Sequence, residues 1–327
     1  MSALFKFAIL FLLPAVVIAG FSSQKNCAKD PFQDPKKDPC NRLTYIASNE
    51  LTTVAVVVYL GVGFSHIFST WKWGAKWMSS MTFGIFTFVV GFIFRYVLHA
   101  HPDSKGAYIV EYLFIVLSPC LFIAAEYVLL GRLALDLNAE QHLLIPPRRI
   151  TPIFVASDIV TFLIQAAGGI TAISTDNTNT INLGSNIFLG GLILQLISFV
   201  VFVVIYLRLV FLVHRHNPYT WTRDADKPWF SDWRTLACAF IISCIGILVR
   251  SMFRTVELAE GFKSNLATSE PLFYGLDTLP LFITVSVYVP FWPGRFIGRE
   301  DTSSTHMMMD NVGKDAVKAP ESGALLG

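Results

Sequence analysis

Thr178–Leu207 reads TNTINLGSNIFLGGLILQLISFVVFVVIYL, thirty residues without one Asp, Glu, Lys or Arg. A bilayer core takes about 20 apolar residues per helix, so this stretch alone is long enough to cross. Leu51–Trp71, Trp77–Phe94 and Ile159–Thr175 are uncharged in the same way. The whole chain of 327 residues follows suit: 54% hydrophobic, 28 Phe, and only 15% charged, where a soluble domain carries about 25%. The class is an all-α integral membrane protein. A formal charge of +2 and the absence of any basic cluster leave no nucleic-acid surface.

Apolar runs set against charged punctuation predict seven spans, near 51–70, 77–96, 108–130, 150–173, 185–207, 235–256 and 272–292. The intervening loops set their orientation. Loops 71–76, 131–149 and 208–234 hold Lys72, Lys76, Arg132, Arg148, Arg149, Arg208, Arg215, Arg223, Lys227 and Arg234, whereas the alternate loops hold only Lys105 and Lys263. Positive-inside bias puts the first set in the cytoplasm. The expected fold is therefore a seven-transmembrane-helix bundle, N-terminus outside and C-terminus cytoplasmic.

Lys6 followed by the apolar run Phe7–Ala19 reads as a secretory signal over 1–20, with a retained first helix as the alternative. Residues 21–50 then form an extracellular segment. Its five Lys/Arg run against the positive-inside bias, and an exporting signal accounts for them. Cys27 and Cys40 in this segment either pair as a disulfide, which a translocated loop permits, or stay as free thiols. Cys120, Cys238 and Cys244 fall in apolar runs and read as small packing residues. The membrane domain covers 51–293, and the polar, small-residue tail 294–327 is expected to be a disordered cytoplasmic segment.

Charges inside a bilayer are expensive and face a cavity or one another. Arg250, Arg254 and Glu257 are offset by four and three and share one helix face. Glu270, Tyr274 and Asp277 repeat that spacing on the seventh span. Asp158 and Gln165 lie seven apart on the fourth, with Gly168 and Gly169 continuing that side, and Gln195 sits in a small-residue stripe on the fifth. Arg95 and Glu111 lie near the outer ends, and Glu126 and Tyr127 toward the cytoplasmic side. Two readings stay open: a polar cavity for an amphiphilic ligand, or a structural ion-pair network between spans six and seven.

Several chemistries find no support. The chain has no GxxxxGK[ST] phosphate loop, no HExxH or other zinc-ligand spacing, and no glycine after Ser65 to make a nucleophile elbow. No cofactor is expected. Span seven has no Lys for a retinal Schiff base, and span three no Asp-Arg-Tyr. A non-enzyme is expected.

The pattern as a whole resembles the fungal RTA-like family of lipid-translocating exporters. The matching stretches are Glu111-Tyr112, Ser118-Pro119, Ala124-Ala125-Glu126-Tyr127 and Gly131-Arg132. They continue with Phe154, Ser157-Asp158, Gln165-Ala166-Ala167-Gly168-Gly169, Gly184, Gly190-Gly191-Leu192, Gln195 and Ser198-Phe199. The last are Arg250-Ser251, Phe253-Arg254, Glu257, Gly261, Glu270, Tyr274 and Asp277. Glu126 departs from the pattern, which expects a small or uncharged residue there. The resemblance implies a plasma-membrane or endomembrane protein tied to the movement of amphiphiles such as sphingoid bases and sterol analogues, and to drug tolerance. Its expected partners are an amphiphilic lipid substrate and the surrounding membrane lipids.

On this reading an ammonium head settles near Asp277, Glu270 or Asp158. Arg250, Arg254 and Glu257 set the field, Gln165 and Gln195 offer neutral hydrogen bonds, and Tyr274 completes the set. The rival reading is a membrane sensor acting through cytoplasmic partners. Oligomeric state is not legible.

Overall fold

The computed structural model describes residues 45–175, 177–224, 232–261 and 268–297, with Phe32, Asn41, Leu43 and Leu266. The signal segment, the Cys27–Cys40 pair and residues 298–327 lie outside the described residues. Caps open most of the long helices, because an N-terminal side-chain oxygen satisfies a backbone N–H that the helix itself cannot. Ser48 accepts from Leu51 N and starts α1 (Asn49–Trp73). A 3₁₀ turn, Lys76–Met78, leads into α2 (Ser79–Ala100). Ser104 caps α3 (Lys105–Asp136), Pro147 opens α4 (Pro147–Ser174) at its first position, and Asn177 caps α5 (Thr178–His216). Asp232 caps α6 (Trp233–Glu260) by accepting from Arg234 N at 2.9 Å. Gly74 at φ +75° and Gly261 at φ +93° terminate α1 and α6 in a backbone region that glycine adopts freely.

These six helices are long and apolar enough to cross a membrane. The seventh expected segment is helical over 270–286 and is called α7. It starts with an α-turn at Glu270–Leu272, widens into a π-turn at Phe273–Thr278 and returns to α-helix at Leu279–Ser286. Most observed helices exceed the expected spans. Helix α5 runs on to His216, carrying Arg208 and Arg215 on helix rather than in a loop, and α3 carries Arg132. Charge punctuation marks where the bilayer ends, while a helix continues into water as long as its backbone bonds are satisfied. Helix α7 instead stops at Ser286, short of the expected 292, and the chain stays folded to Ile297, with Phe296 and Ile297 against the core.

Successive helices pack side by side, and α7 closes the ring against α1 and α6. Helix α3 is the inner one: 89% of its most apolar window is buried, against 33% for α1 and α5. The α1–α7 seam is polar. Thr52 Oγ1 meets Tyr274 Oη at 3.0 Å, Tyr59 donates to Thr278 O at 2.8 Å, and His66 Nε2 lies 3.0 Å from Val285 O. The α4–α5 seam relies on missing side chains instead. A Cβ on Gly168 would lie 2.5 Å from Phe188 N and 2.7 Å from Gly184 O, so these backbones meet only because both residues are glycine. Outward faces carry exposed Val54, Val57, Phe64, Ile197, Val201 and Val204, as lipid contact requires.

The bundle has two ends. At the Tyr45 end α2 gives way to α3, α4 to α5 and α6 to α7. At the Trp292 end the other connections lie, and Trp292 donates from Nε1 to Gly74 O at 3.2 Å.

Candidate functional site: a charged cavity at the Tyr45 end

Four helices bring seven charged groups together near the Tyr45 end. Arg95 of α2 donates to Glu111 of α3 at 3.0 Å and to Glu270 of α7 at 3.2 Å. Its Nη2 also donates to Tyr45 Oη at 3.0 Å, and Glu270 accepts from Ser48 N at 2.9 Å. On α6, Arg254 grips Asp277 with Nε at 2.8 Å and Nη2 at 3.2 Å, and Arg250 Nε reaches the same carboxylate at 3.0 Å. Arg254 Nη1 binds Glu257 Oε2 at 3.1 Å. The Phe273 ring separates the two clusters, with the Arg95 guanidinium 4.6 Å and that of Arg254 5.5 Å from its centroid.

The π-turn explains how α7 serves both clusters and α1 together. Adding a residue to one turn spreads side chains that an α-helix would align. Glu270 meets Arg95, Tyr274 meets α1, and Asp277 meets the two arginines of α6. The common face expected from the spacing is therefore split three ways.

Between the clusters lies a cavity of about 810 Å³, its open mouth included. Its polar walls are Tyr45, Arg95, Tyr108, Glu111, Tyr112, Arg250, Arg254 and Glu257; its apolar walls include Ile115, Val116, Phe188, Leu192 and Phe273. The segment before α1 roofs it through Leu43 and Tyr45. Ala47 O, 2.7 Å from His99 Nδ1, pins that segment to α2. Burial pushes the Tyr45 phenol above its ordinary value, with the Arg95 guanidinium acting against the rise.

Among the described residues the charges do not balance: Arg95, Arg250 and Arg254 face Glu111, Glu257, Glu270 and Asp277, three cations against four carboxylates. Asp277 is fully buried, with both oxygens taken. Glu257 bonds only through Oε2 and Glu111 only through Oε1 among the described residues. The Tyr108 and Tyr112 hydroxyls make no hydrogen bond among them.

Of the nine sequence candidates, Arg250, Arg254 and Glu257 line the cavity, and Glu270, Tyr274 and Asp277 stand behind its wall. Asp277 has both oxygens taken by Arg250 and Arg254, whereas Glu270 holds Arg95 and Ser48 N through Oε1 and stands outside the cavity lining. Asp158, Gln165 and Gln195 form a separate group. Gln165 Nε2 donates to Gln195 Oε1 at 2.8 Å, and Gln195 Nε2 lies 3.3 Å from Cys120 Sγ. The Asp158 carboxylate is buried with no hydrogen-bond partner among the described residues, and neither it nor the glutamines line the charged cavity.

Sequence reasoning passed over Tyr45, Arg95, Tyr108, Glu111, Tyr112 and Phe273 as site residues. The signal for two of them was present: Arg95 is a lone charge late in an apolar run, and Glu111 lies sixteen residues on, across one tight helical hairpin.

A third polar cluster lies nearer the Trp292 end. Glu126 accepts from Ser243 through Oε1 and from Tyr288 through Oε2 at 2.8 Å, wholly buried. It joins α3, α6 and the turn after α7.

Residues 81–300 match the model of the family described as RTA1 like protein. Among curated proteins of Saccharomyces cerevisiae, Protein RTM1 is 29% identical over 276 residues, 84% of this chain and 81% of its own length. Protoporphyrin uptake protein 1 is 30% identical over 209 residues, 64% of this chain and 65% of its length. Sphingoid long-chain base transporter RSB1 is 25% identical over 243 residues, 64% of this chain and 63% of its length. The match thus spans under two thirds of the last two relatives. No solved structure matches the chain.

Proposed function

This chain belongs to the RTA1-like family of integral membrane proteins, and from that premise we propose that it carries cationic amphiphiles, long-chain amines of the sphingoid-base kind, across the bilayer. One observation bears the weight: among the described residues the cavity's charged shell has one more carboxylate than it has arginines. A site short of one positive charge in a low-dielectric surround favours a monocation. On the cavity lining, Glu257 Oε1 and Glu111 Oε2 are the carboxylate oxygens offered to an ammonium group, and the Tyr108 and Tyr112 hydroxyls suit the hydroxyls beside it. The relative named as a sphingoid long-chain base transporter supports that head chemistry.

An anionic amphiphile is the competing occupant, given the relative named for protoporphyrin uptake. The geometry favours it less, since each of the three guanidinium groups already holds a carboxylate.

In this reading α7 is the seventh span and the Tyr45 end faces outside, as the loop charges require. The protein sits in the plasma membrane, moves its ligand without an ATPase of its own and performs no covalent chemistry on it. Tolerance to toxic amphiphiles follows from their removal.

The test is reconstitution in liposomes with a fluorescent sphingoid base and a membrane-impermeant quencher. The proposal expects movement above empty vesicles for the free amine, and none for its N-acetylated, uncharged counterpart. Equal movement of both would remove the charge argument. No movement by folded protein would turn the reading toward a ligand sensor.

A further inference from the structure

Asp158 sits near the middle of α4, roughly 17 Å along the helix from Pro147 and roughly 24 Å from Ser174 at about 1.5 Å per residue. Both of its carboxyl oxygens are buried and accept no hydrogen bond among the described residues. Helix α4 packs against α3 and α5. From α3 the titratable groups that face Asp158 are the Tyr127 hydroxyl and the Cys120 thiol, neither of which is a cation. From α5 come Ser198, which accepts from Ser157 beside Asp158, and Gln195, and these do not titrate. No Arg, Lys or His pairs with Asp158 among the described residues.

Glu126 gives the contrast. It is likewise buried and has no arginine among the described residues, yet Ser243 and Tyr288 donate to its two oxygens. Asp158 has no such donors. An ionised carboxyl is costly in such a place without a partner, whereas one that keeps its proton is not. Its side chain also makes no bond that would hold helices together. What lies near it is the charged cavity. Leu192 lines that cavity, and Gln195 and Ser198 follow at three-residue steps along α5, away from the Tyr45 end. Gln195 pairs with Gln165 at 2.8 Å and Ser198 with Ser157 at 3.4 Å. Ser198 is roughly 9 Å along the helix from Leu192. A column of polar groups on α4 and α5 thus leads from the cavity floor to the Asp158 carboxyl.

We propose that Asp158 is a proton site coupled to the charged cavity: it holds a proton while the cavity is empty and releases it when a cationic head arrives. The carboxyl O–H bond breaks and the proton passes to solvent water. The carboxylate left behind then attracts the bound cation through a medium that screens charge poorly. Protein plus ligand keep their net charge, so one cation enters the bundle for each proton that leaves. The exchange rests on the cationic-amphiphile reading above and adds a second ion to it. Its sign follows from linkage. The empty form binds one proton more than the loaded form, so raising the pH favours the loaded form, and cation and proton weaken each other's binding by the same factor.

The experiment uses the purified full chain in nanodiscs, with empty nanodiscs as the reference, and a long-chain alkylguanidinium, whose charge does not change with pH. Binding is measured across a pH series and, in weak buffer, alongside a pH indicator. Wild type is expected to bind about tenfold more tightly in weakly alkaline than in weakly acidic buffer, and to release protons as it binds. Asp158→Asn has the shape of the neutral acid and is expected to bind with a nearly flat pH profile and without that release. Asp158→Ala provides the reading should the first variant fold poorly. Glu111 and Glu257 line the cavity itself, and their own titration is common to all these proteins. A release and a pH profile that survive both substitutions, or wild-type binding without any release, overturn the proton site while leaving the cation reading intact. Wild-type protein that binds the guanidinium at no pH overturns the cationic-amphiphile reading, and the proton site falls with it.

Discussion

Arg254 and Asp277 face each other across the α6–α7 interface in a two-point grip, Nε to Oδ1 at 2.8 Å and Nη2 to Oδ2 at 3.2 Å, with Asp277 wholly out of contact with solvent. Arg250 adds a third bond to the same carboxylate. A carboxylate so occupied is a structural node, and the proposed function gives the ligand role to its less committed neighbours. Several outcomes follow from that division.

Asp277→Asn leaves two buried guanidinium groups without their shared counter-charge. Breaking a buried pair from one side costs about 3–5 kcal/mol, so the variant is expected to lose thermal stability in detergent and to reach the membrane poorly. Fluorescence-detected size exclusion after heating measures this. A variant that melts like wild type yet no longer binds amine would make Asp277 a ligand group and refute the pairing account.

Gly168→Ala is expected to separate α4 from α5, since its Cβ would lie 2.5 Å from Phe188 N. Gly190→Ala, where nothing lies within 4 Å, serves as the matched control and is expected to be neutral. The readout is the melting temperature of the two purified variants side by side. Similar melting would mean that the helices do not cross as closely as described.

Glu126→Ala removes the acceptor for both Ser243 and Tyr288. Each buried hydroxyl left without a partner costs about 1–3 kcal/mol. Glu126→Gln keeps one carbonyl acceptor and is expected to fall between that variant and wild type. Denaturation in detergent ranks the three proteins. An alanine variant as stable as wild type would show that the cluster holds nothing together.

Arg223 and Asp136 supply the contrast. They meet at 2.9 Å at the Trp292 end with the arginine 32% exposed. Exposed pairs contribute about 0–1 kcal/mol, so Arg223→Ala is expected to leave the melting temperature within a few degrees of wild type. A collapse would assign that end a structural weight the geometry does not give it.

What the sequence disclosed, and what it hid, divides along physical lines. Apolar length is a local property, and it located all six long helices; Thr178–Leu207 lies wholly within α5. Helical spacing is also local, and it placed Arg250, Arg254 and Glu257 on one face of α6. Pairing across helices is not local. That Arg95 meets Glu111 and Glu270, and that Tyr45 folds back to Arg95, depends on how the ring closes. The π-turn in α7 was hidden as well, since Glu270, Tyr274 and Asp277 have the spacing of an ordinary helix and only packing against α1 and α6 spreads them. The ion pairs between α6 and α7 are present, and Arg250, Arg254 and Glu257 among them also line the cavity.

The most direct test of the account is the affinity of purified wild-type protein and Glu257→Gln for a long-chain 2-amino-1,3-diol and for its N-acetylated form. The substitution keeps a carbonyl oxygen for Arg254 and removes the charge offered to the ligand. The account predicts that wild type binds the amine at least tenfold more tightly than the uncharged analogue, and that Glu257→Gln erases most of this preference while melting like wild type. Equal affinity of wild type for both forms, or a preference untouched by the substitution, would contradict it.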